Sequence, residues 1–264
     1  MNINFSKYHA HGNDFILIDH RIPFWKNRDQ KALFSKKICH RNYGVGADGL
    51  LLLENHDQYD FEMVYYNPDG SISMCGNGAR CIIHFAKELN IISSNTQFIH
   101  QKQCYYATID NNMIHLQMPS LLKMYENSLD YIVHNGAKHY ITFTDSLKNY
   151  DLKTGYYNMI KKKFYHYNFN VIQLVDPYTI QLRTYENGVF AETLSCGTGA
   201  VAAALVCAQK NFTKSPTLVY TQGGISTISY KFQKNKRYIN QFSNIVLSSK
   251  VTSIFRGVYP MINL

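Results

Sequence analysis

The sequence has 264 residues and contains no long hydrophobic run. No stretch approaches the roughly 18 consecutive apolar residues that a membrane helix needs. Residues 1–12 also lack the basic patch followed by an apolar segment that is typical of a signal peptide. We therefore expect neither a membrane partner nor export. Since 45% of the residues are hydrophobic and 17% are charged, the chain can still bury a core, and global disorder is not expected.

The common metal and redox motifs are also missing. None of the six cysteines forms a C-x-x-C pair, and none of the 11 histidines stands in an H-E-x-x-H pattern. We expect no metal site. A chain of this length does not need disulfides, so free thiols in a reducing cytoplasm are expected. For four of the cysteines the prediction is a small buried hydrophobe: Cys39, Cys81, Cys104 and Cys207.

Acidic residues are scarce, with 18 Asp and Glu against 27 Lys and Arg, and the formal net charge is +9. A basic chain can bind nucleic acid when its cations are clustered, because the cluster then neutralises phosphates. Here the densest basic run is only three residues, 161–163, and the other cations are scattered. The charge alone therefore does not indicate a nucleic-acid partner.

One pentad, C-G-x-G-A, occurs twice, at residues 75–79 (CGNGA) and 196–200 (CGTGA). Each copy opens a segment that is apolar nearly all round, beginning at Arg80 in one case and at Val201 in the other. Such a pattern predicts a buried helix near the centre of a domain. Because the repeat comes with the same following segment, we interpret it as part of a larger internal duplication.

Other landmarks recur in the same order before each pentad. They are a glycine before a predicted strand, a polar residue beside a second strand, and a turn just before the cysteine; the residues are Gly12, Asp48 and 66–70 in one half and Gly136, Asn170 and 185–188 in the other. We predict a mixed α/β, α+β-like fold of two homologous domains. Each would be a curved sheet or barrel around a central helix, with the active site in the cleft between them.

The predicted domains are residues 1–118 and 119–251. The boundary is placed near Pro119 because a strand-like segment, residues 107–118, ends there. A C-terminal strand at about residues 252–264 could complete the first domain.

A cysteine followed by Gly-x-Gly at a helix start lies where unpaired backbone N–H groups and the positive end of the helix dipole converge. That environment favours a thiolate and binds an anion. Two such sites suit inversion of a stereocentre, which needs a base on one face of a carbon and an acid on the other. We predict Cys75 and Cys196 as this pair. A phosphate cradle is the rival interpretation, but no Walker lysine or G-x-G-x-x-G is present.

With these residues in view, the sequence resembles the diaminopimelate epimerase family along nearly its whole length. The segments that carry the resemblance are HGNDFILID (11–19), YGVGADGLLLL (43–53), YNPDGSISMCGNGARC (66–81) and RTYENGVFAETLSCGTGA (183–200). The resemblance implies conversion of LL-diaminopimelate to the meso form, a place in lysine and peptidoglycan biosynthesis, no cofactor, and a homodimer.

The resemblance also assigns roles to particular residues. Cys75 and Cys196 match the catalytic pair, and His139 and Glu186 match residues that help to set the protonation of the thiols. The substrate-binding positions implied are Asn13, Asn67, Gly76, Asn77, Asn170, Asn187, Gly197 and Thr198.

The chain departs from the family pattern at two places. Asn187 stands where the family usually has an arginine that grips the distal carboxylate, and Ala137-Lys138 replaces a usual Asn-Pro before His139. One hypothesis is that Lys138 supplies some of the missing positive charge. The departures leave open a related racemase for another amino acid, such as a proline-type or histidine-type enzyme. A silent binding protein, or a basic partner of nucleic acid, is the alternative outside enzymes.

Overall fold

The structure is a computed structural model that describes residues 2–25, 27–121, 123–127, 129–233 and 241–260. The elements in chain order are β1 (Asn2–Ala10), β2 (Asn13–Asp19), α1 (Arg28–Ile38), β3 (Gly49–Glu54), β4 (Phe61–Tyr66), α2 (Gly76–Glu88), β5 (Asn95–His100), β6 (Gln103–Asp110), β7 (Met113–Gln117), β8 (Lys123–Asn127), β9 (Asp130–His134), β10 (Lys138–Phe143), α3 (Leu152–Lys161), β11 (Asn168–Asp176), β12 (Thr179–Glu186), β13 (Ala191–Thr193), α4 (Gly197–Gln209), β14 (Thr217–Thr221), β15 (Gly224–Gln233), β16 (Gln241–Lys250) and β17 (Thr252–Pro260).

The chain divides into two compact units. Unit 1 consists of residues 1–116 and 250–264, and unit 2 consists of residues 117–249. In unit 1 the strand β17 pairs antiparallel with β1, from Asn2 opposite Pro260 to His9 opposite Thr252. Residues 261–264, the end of the strand predicted from the sequence, lie outside the described residues.

The two units repeat one strand pattern. In unit 1 the pairs β1–β2, β3–β4 and β5–β6 are antiparallel, while β2–β3 and β4–β5 are parallel. In unit 2 the pairs β9–β10, β11–β12 and β14–β15 are antiparallel, while β10–β11 and β12–β14 are parallel. Helices α1 and α3 occupy the first parallel crossover of each unit, and α2 and α4 the second. The mixed α/β fold with a duplicated half is thereby confirmed.

The pentad helices are the buried ones. Helix α2 packs against β1, β2, β3 and β4, and α4 packs against strands β9 to β12, β14 and β15. Residues 199–208 of α4 are buried without a break. Burying a Val or Leu side chain contributes about 1.5–3 kcal/mol. The apolar core around each helix therefore holds its first turn, and with it the cysteine, in a fixed position.

Two local features differ from the sequence prediction. Each unit has a second helix, α1 or α3, where the sequence indicated mostly strands. The segment predicted as one strand at residues 107–118 spans the turn of a hairpin between β6 and β7, with Ile109 opposite Ile114. Asn111 adopts a positive φ of 53° at this turn, which asparagine tolerates better than most residues. Among the described residues, no helix has both the length and the apolar character that crossing a bilayer requires.

Candidate active site

Both pentad cysteines are helix N-caps. Cys75 (φ −129°, ψ 113°) precedes α2, and Cys196 (φ −117°, ψ 109°) precedes α4, so both have extended backbones and the helices begin at Gly76 and Gly197. At this position a side chain lies beside the first unpaired N–H groups of the helix. Cys75 Sγ accepts a hydrogen bond from the Gly78 N–H at 3.5 Å. Both cysteines thus take the N-cap position that the spacing of the glycines predicts, and the cap hydrogen bond to sulfur is described for Cys75.

In unit 1 three predicted site residues meet at one oxygen. Asn13 Oδ1 accepts from the Cys75 thiol at 3.6 Å and from Asn77 Nδ2 at 3.1 Å. The orientation of the Asn13 amide is determined by chemistry, because its Nδ2 donates to Asp48 Oδ2 at 2.7 Å and a carboxylate can only accept. Asp48 is in turn ion-paired with Arg41 at 2.6 Å. The Asn13 oxygen is therefore held beside Cys75 as a hydrogen-bond acceptor.

The amide of Asn77 is fixed from its other side by Arg80. Arg80 Nη2 donates to Asn77 Oδ1, and Nη1 donates to the Gly76 carbonyl at 3.1 Å. The guanidinium is fully buried. Asp48 and Arg80 were not predicted as site residues. Arg80 had a signal in the sequence, since it is an arginine at the start of a segment whose next three residues are apolar.

Asn67 lies in the turn that follows β4. Its Nδ2 donates to Ser71 Oγ at 2.9 Å and to Ser73 Oγ at 3.1 Å, while its Oδ1 accepts from the Tyr65 hydroxyl at 3.0 Å. The Asn67 backbone closes the turn by bonding Ser71 and Gly70. The Asn67 carbonyl also accepts from Ser35 Oγ on α1 at 3.0 Å, so the turn is tied to α1 as well as to Tyr65.

In unit 2 the equivalent cluster has a different chemistry. Cys196 Sγ lies 3.6 Å from Thr198 Oγ1, and His139 Nε2 lies 3.0 Å from the same hydroxyl. Asn135 Nδ2 donates to the Thr198 carbonyl at 2.8 Å. Both His139 and Cys196 are buried. Three predicted residues, Cys196, Thr198 and His139, are therefore brought together, and Asn135 is an unpredicted support.

Asn170 determines the tautomer of His139. Its Nδ2 lies within hydrogen-bonding distance of the carbonyls of Tyr140 and Asn168, which can only accept, and it also lies 3.2 Å from His139 Nδ1. Because Nδ2 is a donor, Nδ1 of the imidazole is the acceptor, and the proton resides on Nε2. Burial lowers the pKa of His139 to about 3, with a smaller contribution from His134. The imidazole is therefore neutral near pH 7 and donates to Thr198.

That geometry directs the hydroxyl proton of Thr198. Since the Thr198 oxygen accepts from His139, its own proton is available to donate to Cys196 Sγ. A donor at this position stabilises a thiolate. Asn170 is fully buried, and its Oδ1 accepts from Thr184 at 3.0 Å. Asn170 thus positions His139, and its contact with substrate stays a prediction.

A second glycine of the α4 pentad is required by packing. A Cβ built on Gly199 would lie 2.6 Å from Asn170 Oδ1 and 3.3 Å from Cys196 Sγ. In contrast, a Cβ on Gly76 would find its nearest neighbour, Arg80 Nη1, at 3.9 Å. Gly199 thus allows the Asn170 side chain to approach the first turn of α4.

Glu186 and Asn187 lie at the end of β12, in the turn before β13. Glu186 Oε1 accepts from Thr193 Oγ1 at 2.6 Å. Asn187 Oδ1 accepts from the Tyr156 hydroxyl at 3.2 Å, and the Asn187 N–H donates to Asn168 Oδ1 at 3.0 Å. Tyr156 stacks on Tyr185 with ring centroids 4.3 Å apart. The Asn187 amide oxygen is therefore held by a buried aromatic cluster.

Two cations, Arg183 and Lys138, have described contacts with other groups of the protein. Arg183 forms a bidentate pair with Glu192 at 2.6 and 2.7 Å and also donates to the carbonyls of Leu147 and Tyr150. Lys138 Nζ lies over the Tyr167 ring, 5.7 Å from its centroid, on an exposed side chain. Arg183 thus does not stand in for the arginine that the family pattern places at position 187.

The remaining cysteines fall into two groups. Cys39, Cys81 and Cys207 are buried as predicted, and burial raises the pKa of Cys39 to about 11 and that of Cys207 to about 12. Cys104 is exposed on β6, so its prediction as a buried residue was wrong. Among the described residues, no group of three or more His, Cys, Asp or Glu side chains is placed to hold a metal ion.

Comparison with known proteins identifies the family. The sequence model of diaminopimelate epimerase matches residues 5–103 and 131–243. The chain is 40% identical over 242 residues to the diaminopimelate epimerase of Flavobacterium psychrophilum, which covers 89% of this chain and 93% of that protein. The diaminopimelate epimerase of Aquifex aeolicus is 33% identical over 278 residues, with 97% of each chain covered.

Solved structures show the same fold at low sequence identity. A phenazine biosynthesis protein of the PhzF family from Bacillus anthracis superposes with a TM-score of 0.76 at 13% identity, covering 99% of this chain and 100% of that chain. A hydroxyproline epimerase from Agrobacterium vitis superposes with a TM-score of 0.68 at 12% identity, covering 98% and 91%. On the family match and the identity to these relatives, the chain belongs to the diaminopimelate epimerase family.

Proposed function

We propose that this chain is a cofactor-independent epimerase that interconverts LL- and meso-diaminopimelate, with Cys75 and Cys196 as the two proton-transfer groups. The observation that carries the proposal is the placement of a cysteine as N-cap of the buried helix in each of two homologous units. The names of relatives at up to 40% identity support the choice of substrate. The product serves lysine and peptidoglycan biosynthesis.

The chemistry requires a base and an acid on opposite faces of one carbon. The Cα–H bond of an amino acid is only weakly acidic, so the carbanion that forms when it breaks needs stabilisation by preorganised donors. The backbone N–H groups at Gly76-Asn77 and Gly197-Thr198 begin two helices, where a carboxylate is bound favourably. One thiolate takes the proton from Cα, and the other thiol gives its proton to the opposite face.

The polar residues around each sulfur have distinct roles in this proposal. Asn13 accepts a hydrogen bond from the Cys75 thiol, and Thr198 donates a hydrogen bond to the Cys196 sulfur. His139 acts through Thr198. It takes no proton itself, because burial lowers its pKa to about 3 and its free ring nitrogen, Nδ1, faces the Asn170 amide. Glu186, Asn67 and Asn187 remain predicted contacts whose roles rest on the family resemblance.

The deciding experiment is exchange of the Cα proton for deuterium. Reduced protein is incubated with LL-diaminopimelate in heavy water, and NMR follows both exchange and formation of the meso isomer. Cys75→Ser and Cys196→Ser are each expected to slow turnover by roughly 10²–10⁴-fold, the usual contribution of a positioned acid or base. Cys104→Ser is the matched control, since this thiol is exposed on β6, and it should retain full activity. Wild-type protein that exchanges no proton on this substrate would contradict the proposal.

A second candidate is a related racemase that acts on another amino acid. It is favoured by one observation, the Asn187 amide in place of an arginine, with neighbouring Arg183 already saturated by Glu192 and two carbonyls. The same exchange assay distinguishes the two functions when it is run with proline, histidine and diaminopimelate in parallel. Exchange on proline or histidine alone would retain the two-thiol chemistry and change the substrate.

We also propose a location for the protein. Both thiols must stay reduced for turnover, which suits the reducing cytoplasm. A homodimer stays a prediction of the family resemblance.

A further inference from the structure

Arg80 is a buried cation that the scheme above does not use. Its side chain lies at the start of α2 and is fully enclosed. Two of its nitrogens bind the Gly76 carbonyl and Asn77 Oδ1, while Nε is buried without a hydrogen-bond partner. Removing a charge from water carries a large free-energy cost that two neutral acceptors repay only in part. A cation in such a place calls for a nearby negative charge.

No carboxylate supplies that charge. Among the described residues, Arg80 forms no ion pair with an Asp or Glu side chain. Burial lowers the pKa of Arg80 to about 10, which still leaves it charged at neutral pH. Two neighbouring cysteines, Cys81 and Cys75, would raise the pKa of Arg80 again if they carried a negative charge. Burial raises the pKa of Cys81 far above neutrality, so Cys81 stays a thiol. Geometry also links Cys75 to Arg80: the guanidinium binds the carbonyl of the next residue, Gly76, and the Asn77 amide, which shares Asn13 Oδ1 with the Cys75 thiol. Cys75 is thus the group that can balance Arg80.

Unit 2 has no cation at the matching place. The residue that corresponds to Arg80 in the second pentad segment is Val201, and the described polar contact of the Cys196 sulfur is the Thr198 hydroxyl. A full charge in a buried position outweighs a single hydroxyl dipole. The two cysteines therefore share an N-cap position, but only Cys75 is followed five residues later by a buried cation.

Other groups that face Cys75 act in both directions. The Gly78 N–H donates a hydrogen bond to the sulfur and favours the thiolate. Asn13 Oδ1 accepts a hydrogen bond from the thiol and favours the protonated form. Tyr65 on β4 also faces Cys75, and its pKa is raised by burial and, to a smaller extent, by the negative form of that cysteine. Tyr65 is therefore neutral. Asp48 opposes the thiolate at longer range, but Arg41 pairs with it at 2.6 Å.

We propose that Arg80 is a positioning residue that favours the thiolate form of Cys75 and aligns the Asn77 amide. Its significance for catalysis rests on the proposed two-thiol function, but the ionisation of Cys75 does not. Because Asn13 Oδ1 can accept a hydrogen bond from the thiol and Arg80 can balance the charge of the thiolate, the same arrangement of side chains suits both forms of Cys75.

The test is a titration of Cys75 in the reduced, ligand-free protein. The ultraviolet absorbance of the thiolate is followed from about pH 4 to about pH 9, where the buried cysteines stay protonated. The contribution of Cys75 is the difference between a protein and the same protein carrying Cys75→Ser. Arg80→Met is expected to raise the midpoint of Cys75 by about one pH unit or more. Arg80→Lys, which keeps the charge, should restore much of the shift.

Arg256→Met is the matched control, because Arg256 also binds α2, through Glu88 Oε2 at 2.9 Å, but at the opposite end of the helix. It should leave the midpoint of Cys75 unchanged. A midpoint that stays the same or falls in Arg80→Met would overturn the inference. If Arg80→Met fails to fold, Arg80→Lys and Arg80→Gln provide the same comparison, with circular dichroism to verify the fold. If Arg80→Met raises the midpoint of Cys75 but the wild type exchanges no Cα proton of diaminopimelate, the inference is supported and the proposed function is rejected.

Discussion

His139 donates a hydrogen bond from Nε2 to the hydroxyl of Thr198 at 3.0 Å, and the direction of that bond is set by Asn170 on the other side of the ring. The imidazole therefore acts on Cys196 through an intervening hydroxyl. In unit 1 the corresponding position beside the sulfur is occupied by Asn13, which presents an oxygen. The duplicated halves thus share their backbone geometry and differ in the polarity of the hydrogen bonds at sulfur.

Thr198→Val should weaken catalysis without unfolding the protein. The substitution removes the hydroxyl between His139 and Cys196 but keeps the shape of the side chain. Losing a hydrogen bond to a charged group costs about 1.5–3 kcal/mol, so proton exchange should slow by roughly 10–100-fold. Thr198→Ser retains the hydroxyl and should recover most of the activity. Equal rates for the valine and serine variants would show that the hydroxyl has no role.

The buried imidazole of His139 should make the protein less stable in mild acid. The pKa of His139 is about 3 in the folded chain against 6.5 for an ordinary histidine. Between these values the unfolded chain binds more protons, so stability is fully present above about pH 6.5 and is lost as the pH falls.

His139→Gln removes this titration. The free energy of unfolding of the wild type, measured with urea, should fall relative to that of the variant by about 1.4 kcal/mol per pH unit below pH 6. Other histidines are common to both proteins and cancel in the difference. Parallel pH profiles for the two proteins would mean that the imidazole is protonated in the folded state.

Gly199→Ala should destabilise the protein, whereas Gly76→Ala should not. A Cβ at Gly199 would lie 2.6 Å from Asn170 Oδ1, so either Asn170 or α4 must move, and overpacking of this kind costs about 1–3 kcal/mol. At Gly76, the first glycine of the other pentad, the nearest neighbour of an added Cβ would lie 3.9 Å away, and the alanine variant should remain within about 0.5 kcal/mol of the wild type. Thermal denaturation of both variants measures the contrast. Similar losses in the two would contradict it.

Tyr156→Phe tests whether Asn187 binds substrate. The phenylalanine keeps the stacking on Tyr185 but cannot donate to Asn187 Oδ1. If the amide contacts the substrate, KM for diaminopimelate should rise about 2–10-fold, the effect of one neutral hydrogen bond, while kcat changes little. Tyr157→Phe, at the exposed neighbouring tyrosine, is the control and should leave KM unchanged. An unaltered KM in Tyr156→Phe would argue against a binding role for Asn187.

The sequence was most informative where it constrains the backbone. Glycines after Cys75 and Cys196 predicted two helix starts, and both helices begin at the residue after the cysteine. The repeated landmarks predicted two homologous halves, and the shared order of parallel and antiparallel pairs confirms the duplicated fold. These features are local in the chain, so pattern alone is enough to find them.

The sequence was least informative where side chains meet across strands. Asp48 was recognised as a landmark, but its bond to Asn13 depends on the parallel pairing of β2 with β3. The role of Arg80 depends on what encloses it, and composition does not reveal that. The turn at Asn111 was missed because Asn111-Asn112 lies inside a run of strand-forming residues, where a positive φ is the feature that divides the run into two strands.

The pairing of β1 with β17 has a consequence for biosynthesis on the ribosome. Residues 117–249 form unit 2 from one uninterrupted segment, whereas unit 1 joins residues 1–116 to residues 250–264. Strand β1 therefore cannot pair with β17 until the strands of unit 2 have been translated. During that interval one edge of β1 lacks the strand that will cover it, and unpaired edges of this kind are the ones that nascent chains most need chaperones to shield.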